Sequence, residues 1–254
     1  MRAFNIALAL LILLVAPAEA VERARSASTA ARLKTEAAAP ARPEAEAGTF
    51  RLDAAGGRGA VVHVPPGYSP DRPAPLLLLL HGAGGSGALL LPLVQAHAER
   101  LGAIVLAPDS RGPTWDAIRG APGPDIAFLD KALAWTYERF AVDPARQAVA
   151  GFSDGASYAL MLGLANGDRF PAVLAWSPGF IPAQPVREEG EPRFFVTHGT
   201  ADPVLEIAVT SRRIVPALRR GGATVEYREF EGGHVLKGTL LAESLDWAFG
   251  GAGR

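Results

Sequence analysis

Cysteine is absent from the 254 residues. Thiol nucleophiles, thiolate metal sites, iron–sulfur clusters and disulfide scaffolds are excluded together, so any chemistry here runs on oxygen and nitrogen groups. A surplus of one charge is missing as well: 25 Lys and Arg face 26 Asp and Glu, a formal net charge of −1. No basic stretch marks one face as a polyanion footprint, and no nucleic acid is expected as a partner. There is no H-E-x-x-H pair, no G-x-x-x-x-G-K-[ST] loop and no repeat at solenoid periods, and no metal or cofactor site is expected. What is present is 49% hydrophobic and 20% charged residues, enough to bury a sizeable core.

The longest apolar run opens the chain. Arg2 supplies a basic start, Ile6 to Val15 is uninterrupted, and Ala18-Glu19-Ala20 places small residues where a signal peptidase reads them. Residues 1–20 are expected to be a signal peptide, with the protein exported to the periplasm or secreted. The alternative, an uncleaved anchor, is disfavoured because about ten to fourteen apolar residues are short of the roughly twenty that span a bilayer. No stable membrane span is expected after cleavage. Residues 21–47 are Ala, Arg, Glu and Pro with almost no large apolar residues, and read as a disordered arm that cannot offset its ordering entropy. The folded domain is expected over residues 48–250.

Within that domain short apolar runs alternate with amphipathic stretches. Strands are predicted at Thr49–Leu52, Ala60–Val64, Leu76–Leu80, Ala103–Ala107, Gln147–Ala150, Ala172–Trp176, Phe194–Thr197 and Thr224–Phe230, and helices at Gly87–Arg100, Pro124–Phe140, Ser153–Asn166, Ile207–Gly221 and Thr239–Phe249. Leu76–Leu80 has no polar face, as expected of a strand covered on both sides. The order predicts an α/β fold: a doubly wound, mostly parallel sheet with an antiparallel strand pair at its start and helices on both faces.

In such sheets chemistry gathers beyond the carboxyl ends of the strands. Three ends carry reactive groups: Gly151-Phe152-Ser153-Asp154-Gly155, His198-Gly199-Thr200-Ala201-Asp202 and Glu231-Gly232-Gly233-His234. The first is G-x-S-x-G between a strand and a helix, the form that puts a serine at the tip of a tight turn. A helix N-cap is the plain structural reading of the same serine. A hydroxyl needs a base, and of the five histidines His234, in a Gly-Gly context after the last strand, is the candidate. Asp202 is the carboxylate expected to orient its ring, with Glu206 as the alternative. Backbone donors for an oxyanion are assigned to Asp154, after the serine, and to Ala83 in the glycine-rich His81–Gly85 loop.

These four motifs, in this order, resemble the α/β-hydrolase superfamily over about Ala60 to Phe249, nearest its carboxylesterase/phospholipase, dienelactone-hydrolase and polyester-depolymerase-like branches. The resemblance implies a serine esterase with a small-molecule ester as partner and no cofactor. Two departures stand out: the stretch from Ser177 to Arg193 is too short for a lipase-type lid, and an acidic residue follows the serine. The long insertion of feruloyl esterases is absent too. Trp115, Phe152 and Trp176 are candidates for lining the cleft, and Arg111 or Arg119 for holding a substrate carboxylate. A different class competes for the same loop, because Gly82–Gly87 satisfies G-x-G-x-x-G with Asp109 about twenty residues on, as in NAD(P)-binding oxidoreductases. A catalytically silent hydrolase fold used for binding is the third reading. Ester, thioester, amide and polyester substrates all remain open, as does oligomeric state.

Overall fold

The computed structural model describes residues 22, 26, 29–54, 57–182 and 190–250. The expected signal peptide lies outside them. Among the described residues no helix is long and apolar enough to cross a membrane.

The elements run β1 (Gly48–Leu52), β2 (Ala60–Val64), β3 (Ala74–Leu80), α1 (Gly87–Leu101), β4 (Ile104–Pro108), α2 (Asp116–Arg119), α3 (Pro124–Arg139), β5 (Val142–Phe152), α4 (Asp154–Ala165), β6 (Ala172–Trp176), β7 (Arg193–Gly199), α5 (Ser211–Arg220), β8 (Val225–Phe230) and α6 (Gly238–Phe249). The short α2 has no counterpart among the predicted elements, and α5 starts four residues later than expected. Residues 207–210 are taken up by a turn, across which the Thr210 hydroxyl donates to the Glu206 carbonyl.

The strands form one sheet in the order β1-β2-β4-β3-β5-β6-β7-β8. β1 pairs antiparallel with β2, and β2 with β4; all later pairings are parallel. This is the predicted α/β architecture with its antiparallel start. The leucines of β3 explain themselves in it. Leu76, Leu78 and Leu80 enter the core beneath α3, α4 and α5, whereas Leu77 and Leu79 enter the core on the α1 and α6 face. Alternation along the strand sends successive side chains to opposite faces, so a central strand with two dry faces has no place for a polar residue. Each such leucine contributes roughly 2 kcal/mol of burial.

The arm differs from expectation. From residue 29 onward it lies against α3 and the α4–β6 turn, with Ala31 and Leu33 buried. The docking is mostly polar, which is why apolar content did not reveal it. Asn166, buried at the end of α4, accepts the Leu33 N–H at 2.8 Å and donates to the Ala31 carbonyl at 3.0 Å. Asp130 on α3 accepts the Lys34 and Thr35 N–H groups. Farther along, the Arg42 and Glu44 N–H groups donate to the last carbonyls of α3, bonds a helix C-terminus otherwise leaves to water. Replacing Leu33 by Ala should lower the unfolding free energy by about 2 kcal/mol, within the usual range for a buried leucine. Urea denaturation checks this, and an unchanged midpoint would show that the arm is not docked in solution.

Candidate active site

The turn from β5 into α4 carries Ser153 at φ 57°, ψ −120°. A non-glycine residue in this region costs on the order of 1–3 kcal/mol and persists only where its surroundings impose it. Here the Ser153 N–H donates to the Trp176 carbonyl at 2.9 Å, and its own carbonyl accepts from the Ser157 N–H at 3.0 Å. The flanking glycines make the turn possible. A Cβ on Gly151 would stand 2.2 Å from the Gly155 carbonyl oxygen, and one on Gly155 would stand 2.2 Å from that of Leu80. Both neighbours are backbone, so no side chain can yield to make room.

Two further strand ends meet at this turn. The Thr200 N–H donates to the Phe230 carbonyl and the Ala201 N–H to that of Gly232, tying the segment after β7 to the one after β8. Gly199 lets them touch, since a Cβ there would be 2.3 Å from the Gly233 carbonyl oxygen. The result is one hydrogen-bonded line: Ser153 Oγ lies 2.9 Å from His234 Nε2, and His234 Nδ1 lies 2.7 Å from Asp202 Oδ2. The Asp202 Oδ1 accepts the Val204 and Leu205 N–H groups at 2.9 and 2.8 Å. Burial pushes the Asp202 carboxyl up, but these donors and His234 outweigh it and hold it below the usual carboxylate range. An ionised Asp202 only accepts, so Nδ1 of His234 carries the proton and Nε2 faces the serine hydroxyl as an acceptor. Glu206 is exposed and takes no part.

The His81–Gly85 loop passes over Ser153 so closely that a Cβ on Gly82 would be 3.2 Å from the serine Cβ. Its shape is set from below. His81 Nδ1 donates to the Gly82 carbonyl at 2.7 Å, its Nε2 accepts the Ser110 N–H, the Trp115 indole donates to the His81 carbonyl, and the Gly84 N–H donates to the Pro113 carbonyl. Burial lowers the His81 pKa, in keeping with a neutral ring that both donates and accepts. Neither the Ala83 nor the Asp154 N–H has an acceptor among the described residues. The latter also opens α4, whose dipole favours negative charge at that end.

The aromatic candidates divide. Phe152 is half-buried and lies beside the His234 ring, with centroids 4.8 Å apart. Trp115 and Trp176 are corrections: Trp115 is sealed beneath the loop against His81 and Tyr158, and Trp176 is buried on the other face with its indole on Ser244. Neither has surface to offer a ligand. Arg111 is also internal, donating to the Arg58 and Asp109 carbonyls above the Phe128 ring, and Arg119 is exposed. The dinucleotide reading loses its anion site. Asp109 accepts the Gly87 N–H at 2.8 Å and Ser86 caps the Leu89 N–H, so the leading donors of α1 are already engaged.

The strand order and the helices on both faces decide the fold, and three strand ends meet at the strained serine. The chain has an α/β-hydrolase-type fold. Solved structures agree with this fold: the chain matches an S-formylglutathione hydrolase from Agrobacterium tumefaciens with a TM-score of 0.65 at 19% identity, covering 80% of this chain and 94% of that one. It matches the Bacillus cereus carboxylesterase at a TM-score of 0.59 and 22% identity, covering 76% and 94%. The Esterase family model, described as putative esterase, matches residues 127–207 of this chain. Feruloyl esterase C of Emericella nidulans is 31% identical over 163 residues, 59% of this chain and 57% of that protein. The chain thus spans little more than half the length of this curated relative.

Two residues around the site escaped the sequence reading. His198 touches Asp202, as its i, i+4 spacing within one strand-end motif permitted one to suspect, and Thr114 donates to the Asp154 carboxylate at 2.6 Å. That bond occupies the carboxylate of the acidic residue after the serine. Gly155→Ala should destabilise the protein by about 3 kcal/mol, the upper end for overpacking, because the new Cβ meets two backbone carbonyls. Thermal unfolding reads this directly; a variant with parental stability would show that the turn is looser than described.

Proposed function

We propose that this protein is a hydrolase that cleaves carboxylic esters of small soluble molecules through an acyl-enzyme, with Ser153 as nucleophile, His234 as general base and acid, and Asp202 as orienter. The observation that carries the reading is the continuous bond line from Ser153 through His234 to Asp202, at 2.9 and 2.7 Å. The Esterase family match and the relative named feruloyl esterase C support an ester as the substrate.

In this reading Ser153 Oγ adds to the ester carbonyl carbon as its proton passes to His234 Nε2. The carbonyl oxygen becomes an oxyanion held by the Ala83 and Asp154 N–H groups, donors that need no reorganisation because they are already unpaired. The intermediate collapses, the carbon–oxygen bond to the alcohol breaks, and the alcohol leaves with the proton from His234. Water then adds to the acyl-enzyme, gives its proton to the same imidazole, and the acid departs as Ser153 recovers its hydrogen. The sum is ester plus water to acid plus alcohol. The short connection between β6 and β7, residues 177–192, leaves no room for a large lid, and the exposed side chains of Val204, Val235 and Phe180 near the strand ends suit a small apolar acyl or aryl group.

Ser153→Ala should lower kcat on a short-chain p-nitrophenyl ester by about 10⁴-fold or more, since one missing member disables the whole unit. Activity within about tenfold of the parent would contradict the assignment.

A further inference from the structure

His198, the penultimate residue of β7, is completely buried and has no role in the reaction as described above. Both of its ring nitrogens are tied. Nδ1 lies 2.7 Å from the hydroxyl of Ser211, the first residue of α5; Nε2 lies 2.8 Å from the Leu205 carbonyl oxygen and 3.2 Å from Asp202 Oδ2. Carbonyl and carboxylate oxygens only accept, so Nε2 bears the hydrogen and Nδ1 receives that of Ser211. One N–H is thereby shared between Leu205 and the same carboxylate oxygen that receives His234. Burial holds the His198 imidazole below its usual range, against the pull of the Leu205 carbonyl and Asp202.

The arrangement answers a mechanical need. Two N–H donors hold Oδ1 of Asp202, which still allows the carboxylate to pivot about that oxygen and swing Oδ2. His234 is a poor anchor for Oδ2, because its ring exchanges protons with serine and leaving group during turnover. His198 does not move: it is enclosed, and bonded to β7's own following turn and to α5. We propose that His198 is a positioning residue that locks the Asp202 carboxylate, and through it the His234 ring, extending the bonded line to Ser211. This rests on the assignment of Ser153, His234 and Asp202 made above.

Two substitutions of graded reach test it. In His198→Gln the terminal amide nitrogen reaches about as far as Nε2, while His198→Asn reaches only as far as Nδ1 and leaves Asp202 and Leu205 without that donor. With rates counted per serine titrated by a fluorophosphonate, so that misfolded chains drop out, His198→Asn should lower kcat about tenfold with KM within about twofold of the parent. His198→Gln should recover to within about threefold. Parental kcat in His198→Asn, or equal impairment in both variants, would overturn the proposal. If His198→Asn does not fold, Ser211→Ala decides: a kcat lowered about threefold at constant KM supports the lock, and an unchanged kcat refutes it. Retained turnover in Ser153→Ala would instead remove the reading beneath, whereas Ser153-dependent turnover that ignores His198 removes this proposal alone.

Discussion

The backbone at Ser153 cannot relax, and the rest of the site is arranged around that fact. Its positive φ places the hydroxyl beyond the end of β5 and starts α4 directly beneath it. The strain is held by contacts between main chains rather than between side chains: Gly151 against Gly155, Gly155 against Leu80 and His81, and the Ser153 N–H on Trp176. Interiors packed at this density move between discrete arrangements rather than deforming smoothly. The central strands β3, β5 and β6 therefore act as a vice, and their two dry faces supply the clamping force through hydrophobic burial.

Around the strained serine, polar groups are saturated in a graded way. Asp202 is buried and heavily bonded, His234 is bonded on both nitrogens yet partly open, and the Ala83 and Asp154 N–H groups face no acceptor among the described residues. Unpaired donors near a protein surface invite an anion, and in the proposed reaction they receive the one that forms. His81 and His198 show a second use of the same residue type. Each is enclosed and bonded at both ring nitrogens, one shaping the loop over the serine and the other meeting the acidic residue of the line.

Much of this is legible in the sequence. The all-leucine stretch of β3, the spacing of strands and helices, and the glycines at 151, 155 and 199 carry information because each is dictated by sterics that few other residues satisfy. What stays hidden is of another kind. The arm docks through backbone bonds to Asn166 and Asp130, and such bonds leave no trace in hydrophobicity. Trp115 and Trp176 follow or close strands on the correct rim, but position along the chain does not say whether a side chain turns to the cleft or to the core. The same ambiguity conceals His198, whose partner Asp202 can be assigned without it. Substrate identity is the farthest from the sequence, since it depends on the shape of a rim built from loops.

The most direct test of the convergence of Ser153, His234 and Asp202 is the site and rate of covalent labelling by a fluorophosphonate, located by peptide mass spectrometry in the parent and in His234→Ala. A single adduct on Ser153 is expected, forming about 10³-fold more slowly once the base is gone. An adduct on another serine, or labelling of Ser153 at the same rate in both proteins, would contradict it.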